Sequence, residues 1–174
     1  MPKLIIVTLF IFISGCTFTP NFGEQLSLSD LKNTDTSEAL IVIIKYGEHA
    51  TSNYAGAHAV VAINGKDTAD ILEKTYIRLS IPEGENIVSV YTPFGQRPVS
   101  SMMLFGEYEI KKTFRGGETY FLHYEIDADP MRQYLGAYGY ENVQTFNDIY
   151  FSEINADKAL KLMSKSRFLV DITK

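Results

Sequence analysis

Residues 39–46 read ALIVIIKY, a nearly continuous apolar run that is enriched in β-branched side chains. A run of this length is too short to favour a helix, and β-branched residues fit a pleated sheet. A strand without polar alternation has both of its faces covered. The run therefore predicts a central strand that is buried on both faces.

Turn signals downstream of this run predict further short strands. Residues 57–63 and 68–72 flank Asn64-Gly65, the strongest short hairpin signal, because both central residues of a type I′ turn need positive φ. Turns at 82–84 and 115–118 separate other alternating segments. The remaining predicted strands are 76–81, 85–92, 107–114 and 119–126.

The last third of the chain has a different character. Residues 127–147 are rich in glycine and tyrosine and show no clear period. Asn155 is the predicted N-cap of a helix from 156 to about 166, and 168–172 is predicted to add a short strand. About seven short strands with regular turn signals predict a mainly β fold. We expect a single antiparallel β-sandwich, immunoglobulin- or transthyretin-like, with a C-terminal helix as an appendage.

The first fifteen residues have the order of a secretory signal peptide. Lys3 supplies positive charge, residues 4–13 (LIIVTLFIFI) form an apolar run, and Ser14-Gly15 are small. The apolar run is too short to span a bilayer, which takes about 20 residues. Residues 1–15 are therefore predicted to be removed.

Cys16 follows directly and is the only cysteine of the chain. Ile13-Ser14-Gly15-Cys16 resembles the bacterial lipobox, with Ile as a mild departure at its first position. The resemblance implies two or three acyl chains, palmitate among them, on Cys16, which is enough for a stable membrane anchor. The absence of Asp after Cys16, where Thr17 stands, favours the periplasmic face of the outer membrane in a Gram-negative host. The alternative is an ordinary signal peptide with a chance cysteine.

Residues 17–38 are polar, with scattered apolar residues and no sustained period. They predict a flexible tether behind the acylated cysteine, with an r.m.s. reach of roughly 25 Å. The alternative is that Leu26, Leu28 and Leu31 dock on the domain as an edge strand or a turn of helix. The domain boundaries are accordingly 1–15, 16–38 and 39–174.

Composition limits the class of partner. Removal of Lys3 with residues 1–15 changes the formal charge from −5 to −6. This mild acidity argues against binding of nucleic acid, which requires a basic surface. The sequence likewise has no polybasic segment that would bind anionic lipid. With a single cysteine, no internal disulfide can form, so the core must hold the fold.

Motifs for catalysis or metal binding are missing from the sequence. There is no HExxH, CxxC, GxSxG, phosphate-binding loop or dinucleotide glycine motif. The histidines His49, His58 and His123 have no evident third ligand partner, and a zinc site needs three or four ligands. Asp127-Ala128-Asp129 begins like a calcium loop but does not continue as one. We predict no cofactor and no metal.

Tyrosines are concentrated near the end of the chain. Tyr134, Tyr138 and Tyr140 are followed by Phe146, Tyr150 and Phe151. Tyrosines on a glycine-punctuated segment can form a platform for sugar rings or peptides, because each ring offers apolar area with a polar tip. The alternative is that these rings close the open end of the sandwich as core.

Several motifs between residues 39 and 126 together resemble the DUF2846-type lipoproteins and, more distantly, PEGA-like and transthyretin-like small sandwiches. They are the run 39–46, Asn64-Gly65-Lys66, the turn Pro82-Glu83-Gly84 and the stretch 116–121. The resemblance implies an envelope lipoprotein with a sandwich fold and no established catalytic residues.

Two functions follow as expectations. The first is a non-catalytic envelope module, anchored through Cys16, that binds an envelope protein or a glycan. The second is an envelope hydrolase that uses His123 with Glu125, Asp127 or Asp129 as acid and base.

Overall fold

The computed structural model describes residues 20–47, 59–91, 108–128 and 147–170. Several predicted features lie outside these ranges: the signal segment 1–15, Cys16, His49, His58, Asp129, Tyr134, Tyr138, Tyr140 and Phe146.

The described residues form nine strands and one helix, which confirms the mainly β prediction with a C-terminal helix. The strands preceding the helix are β1 (Glu38–Lys45), β2 (Ala59–Ile63), β3 (Lys66–Ile71), β4 (Thr75–Pro82), β5 (Gly84–Tyr91), β6 (Tyr108–Phe114), β7 (Thr119–Ala128) and β8 (Asn147–Ile154). The helix α1 (Ala156–Met163) and the short strand β9 (Arg167–Phe168) follow.

The strands form two sheets that pack face to face and do not close into a barrel. One sheet has five strands in the order β8-β7-β1-β4-β9, and the other has four in the order β3-β2-β5-β6. Side chains from both sheets form the core between them, among them Ile41, Ile43, Val61, Val88 and Leu122. The sandwich is therefore as predicted.

The pairing departs from the expected antiparallel pattern at two places. β1 pairs with β4 antiparallel but with β7 parallel, in the register Ile43↔Leu122. β4 and β9 are also parallel. A parallel pair needs a long crossover connection, and here the chain forms β2 to β6 before it returns beside β1.

β1 lies in the middle of the five-stranded sheet and is buried on both faces, as its apolar run predicts. Ile41 and Ile43 face the core between the sheets, whereas Val42 and Ile44 face a second core on the other side. The alternation follows from the two-residue period of a strand. The continuous apolar run is therefore explained by the position of β1 in the middle of three layers, with the four-stranded sheet on one side and α1 on the other.

The second core is closed by α1. Ala159, Leu162 and Met163 on one side of the helix pack against β1, β4 and β7. Asn155 is the N-cap as predicted, and its Oδ1 accepts a hydrogen bond of 2.8 Å from the backbone N–H of Lys158. The helix ends at Met163, earlier than the predicted position near 166, and β9 is shorter than the predicted strand 168–172.

Leu26 and Leu31 in the segment 20–37 also cover this face, so the prediction of a flexible tether is wrong for the part that the structure describes. Leu31 is 3% exposed, and the backbone N–H of Leu26 donates to the hydroxyl of Tyr76 at 2.9 Å. Leu28 is 65% exposed. The physical reason is that α1 is too short to cover the apolar face of the sheet alone, because its eight residues span about 12 Å. The docking alternative holds for Leu26 and Leu31.

β8 was not predicted from the sequence. It pairs antiparallel with β7 along its whole length, with Tyr124↔Phe151 in register, and forms an edge of the five-stranded sheet. Ile149 and Phe151 pack toward the core between the sheets, and Ile154 toward the second core. Three consecutive apolar residues at 149–151 hide the alternation in the sequence.

The two ends of the sandwich differ. At the turn end, short connections join β4 to β5 and β6 to β7. At the opposite end, which we call the loop end, β1, β5 and β7 finish while β2, β6 and β8 begin. The short link 72–74 between β3 and β4 joins the two sheets at the same end. The residues 48–58, 92–107 and 129–146 therefore all attach at the loop end.

Candidate functional site

Titratable side chains are buried at the loop end, where the longer connections attach. Lys45 is the last residue of β1 and is 1% exposed, and His123 on the neighbouring β7 is 3% exposed. Charged and titratable groups are rarely buried to this degree without a partner. This end of the sandwich is therefore the candidate functional site.

Lys45 follows Ile41 and Ile43 in the alternation of β1. Burial lowers the pKa of its amine to about 8, and the carboxylate of Glu73 partly offsets the effect. Glu73 lies in the link before β4, and its Oε1 accepts the backbone N–H of Gly47 at 2.9 Å. Burial raises the pKa of the Glu73 carboxyl, against the opposing influence of that bond and of Lys45. The half-buried Glu73 carboxylate thus acts electrostatically on the buried Lys45 amine, and its hydrogen bond with Gly47 fixes the end of β1 to the β3–β4 link.

The sequence carried a signal for Lys45. It is the one charged residue in a run that predicts burial on both faces, so its amine has to be buried. The position of Glu73 has no such signal, because it depends on which link meets the end of β1.

His123 is held by the backbone. Its Nε2 lies 2.8 Å from the carbonyl oxygen of Tyr46, and because a carbonyl only accepts, Nε2 carries the proton. Nδ1 lies 3.9 Å from Oε2 of Glu125, which is too long for a hydrogen bond. Burial lowers the pKa of the imidazole, while the Tyr46 carbonyl and Glu125 raise it and Lys158 lowers it.

This geometry bears on the acid–base pair that the sequence suggested. A general base must reach the proton that it removes, within about 3 Å or through one water. His123 does stand beside Glu125, but Nε2 is committed to Tyr46 and the side chain is 3% exposed. Asp127 lies in β7. The arrangement is that of a buried histidine hydrogen-bonded to the backbone.

Of the predicted aromatic cluster, the structure describes Tyr150 and Phe151, and it places one at the surface and the other in the core. Phe151 packs edge-on against Tyr124 with ring centroids 6.2 Å apart, and the ring centroid of Tyr108 lies 6.5 Å from that of Tyr124. Tyr150, paired with Glu125 in the sheet, is 51% exposed. The core alternative therefore holds for Phe151, and Tyr150 is a surface residue.

In the parts of the chain that the structure describes, no three His, Cys, Asp or Glu side chains converge as metal ligands would. Within the same parts, no helix has the length and apolarity needed to cross a bilayer. Comparison of the whole chain with known protein families, with curated proteins and with solved structures found no match in any of the three.

Proposed function

We propose that this protein is a lipid-anchored, non-catalytic module of the bacterial cell envelope with an interaction or structural role. The observation that carries the proposal is the order of Lys3, the apolar run 4–13, the small residues Ser14-Gly15 and the chain's only cysteine. In a Gram-negative host the favoured location is the periplasmic face of the outer membrane. The resemblance to DUF2846-type lipoproteins belongs to the same proposal.

The attachment of the segment after Cys16 supports a positioning role. The carbonyl of Asn21 accepts the backbone N–H of Val170 at 2.9 Å, and the guanidinium of Arg167 lies 3.8 Å from the ring centroid of Phe22. Five residues of extended chain span at most about 18 Å. The lipid on Cys16 would therefore hold the sandwich close to the membrane surface.

The partner in this proposal is an envelope protein or a glycan. Among the described strands β8 lies at an edge of its sheet, and edge strands can recognise extended segments by strand addition. Tyr150 on β8 is exposed and offers apolar area with a polar tip. Tyr134, Tyr138 and Tyr140 precede it in the connection from β7 and are proposed as further binding residues.

The test of the anchor is the variant Cys16→Ser. We expect the wild-type protein to begin at Cys16 with acyl chains on that residue, as measured by mass spectrometry of its N-terminal peptide. Cys16→Ser should keep residues 1–15 and carry no lipid, whereas Thr17→Ala, as the control, should be cut and acylated. Acylation or cleavage of Cys16→Ser would contradict the proposal.

A separate test addresses the hydrolase alternative. His123→Gln retains a side-chain N–H that can reach the Tyr46 carbonyl but cannot act as a base. Under the proposal, this change affects stability and leaves any pull-down of envelope partners intact. Turnover of an envelope ester or glycan that is present in the wild type and lost in His123→Gln would instead favour the hydrolase.

A further inference from the structure

A row of lysines lies along the outer side of α1 and the turn after it. Lys158, Lys161 and Lys165 have the spacing i, i+3, i+7, which places them on one side of a helix. All three are exposed. About a third of a turn away around the helix, Ala159, Leu162 and Met163 are buried in the second core, and the amine of Lys165 lies 5.7 Å from the ring centroid of Tyr46.

The charge of this region is opposite to that of the protein. Residues 155–170 contain four basic residues, including Arg167, and one acidic residue, Asp157, which gives a net charge of +3. The chain from Cys16 onward has a formal charge of −6, so its residues outside 155–170 together carry −9. Overall acidity therefore hides a local basic surface, although an exposed acid, Glu24, stands on the neighbouring segment.

The chain that leads from Cys16 is fastened to the end of this helix. The side-chain amide of Gln25 donates to the carbonyl oxygen of Met163 at 3.0 Å. Val170, five residues after Lys165, donates to Asn21. Since Cys16 is at most about 18 Å from Asn21 along the chain, a lipid on Cys16 is confined to the neighbourhood of the α1 layer.

We infer that the row of Lys158, Lys161 and Lys165 lies against the anionic phospholipid headgroups of the membrane in which the Cys16 lipid is inserted. This rests on the proposed lipid anchor and adds an orientation to it. Each basic side chain near an anionic leaflet raises the binding constant for the membrane roughly fivefold. The attraction is screened over about 8 Å at physiological salt. With α1 toward the membrane, the four-stranded sheet faces away from it, because the five-stranded sheet lies between them.

The experiment uses the full acylated protein in two kinds of vesicle. One contains phosphatidylcholine alone, and in the other phosphatidylglycerol replaces part of it. The rate of acetylation of each lysine is followed by peptide mass spectrometry. We expect acetylation of Lys158, Lys161 and Lys165 to be about fivefold slower on the anionic vesicles, and high salt to remove the difference. Lys66 and Lys111, which are exposed on the four-stranded sheet, should react equally on both.

Hydrogen exchange of the backbone amides in 155–170 gives a second readout for variants. In the wild type and in the matched control Lys66→Glu/Lys111→Glu, exchange should be slower on anionic vesicles. In Lys158→Glu/Lys161→Glu/Lys165→Glu it should not depend on lipid composition.

The outcomes separate the two proposals. Acylated Cys16 with equal acetylation of the lysine row on both vesicles, or with protection of Lys111 instead, would overturn the orientation alone. Absence of acyl chains on Cys16 would overturn the proposed function and the orientation that rests on it.

Discussion

The buried amine of Lys45 makes a prediction about stability at alkaline pH. The perturbation is Lys45→Met, which keeps an unbranched chain of similar length and removes the charge. The pKa of Lys45 is about 8 in the folded protein, against 10.5 for an exposed lysine. Desolvation is the main cause, and Glu73 acts against it.

The magnitude follows from linkage. One pKa unit corresponds to about 1.36 kcal/mol, so burial of the charged amine costs the folded state about 3 kcal/mol. Because the folded pKa is the lower one, the unfolded chain binds more protons between pH 8 and 10.5. The contribution of Lys45 to the free energy of unfolding therefore rises with pH across this window. Below it, the full cost is present.

The assay is denaturant unfolding of the wild type and Lys45→Met at several pH values. The wild-type free energy of unfolding minus that of the variant should increase by about 3 kcal/mol from pH 8 to pH 10.5. Buried tyrosines such as Tyr76, whose pKa is raised, destabilise both proteins at high pH and cancel in the difference. In a Glu73→Gln background the rise should begin at lower pH, since Glu73 raises the pKa of Lys45. A difference that stays constant over the window would refute the reasoning.

Three further predictions test separate parts of the fold by unfolding measurements. Leu31→Ala should cost about 2–4 kcal/mol because the side chain is 3% exposed, whereas Leu28→Ala at 65% exposure should stay within about 0.5 kcal/mol; equal effects would contradict docking of this segment. Burial lowers the pKa of His123, so the wild-type free energy of unfolding should fall as pH drops below the unfolded pKa of about 6.5. His123→Gln should lack this fall, and parallel pH curves of the two proteins would contradict the prediction. Asn155→Ala removes the N-cap hydrogen bond to Lys158 and should lower the free energy of unfolding by about 1 kcal/mol; an unchanged value would show that the cap does not stabilise α1.

Local patterns in the sequence were sufficient for most of the fold. The Asn64-Gly65 turn has φ of 52° and 76°, the positive values that a type I′ hairpin requires. The N-cap at Asn155 and the burial of β1 on both faces were equally readable, because each depends on residue types within a few positions. Such features carry their physical cause in the adjacent sequence.

What the sequence did not reveal depends on distant partners. β8 is stabilised by its pairing with β7 and by the contact of Phe151 with Tyr124, neither of which leaves a periodic trace at 147–154. The parallel pairing of β1 with β7 likewise depends on a register between two distant apolar strands. Leu31 is buried because an apolar sheet face remains open beside α1, and a polar stretch with isolated leucines does not disclose that face.

The candidate site shows the same division. Burial of Lys45 could be inferred from the run that contains it, but its neighbour Glu73 depends on the meeting of two links at the loop end. His123 suggested acid–base chemistry because its residue type is versatile. The bond of its Nε2 to the Tyr46 carbonyl is a tertiary contact between elements 77 residues apart, and it assigns the histidine to the core.

Under the proposed anchor on Cys16, docking of Leu26 and Leu31 would connect the stability of the fold to the placement of the domain. While Leu31 stays in the second core, the five residues of chain from Cys16 to Asn21, whose carbonyl accepts the N–H of Val170, can span at most about 18 Å. If the segment leaves the sheet, the chain up to β1 becomes a tether with an r.m.s. reach of roughly 25 Å and a much longer contour. Opening would also remove the contact of Gln25 with the end of α1 and free the basic row from its position near the proposed anchor. Under the proposed anchor, the distance and orientation of the sandwich at the membrane would therefore depend on the burial of a few apolar side chains, so that substitutions such as Leu31→Ala should alter both together.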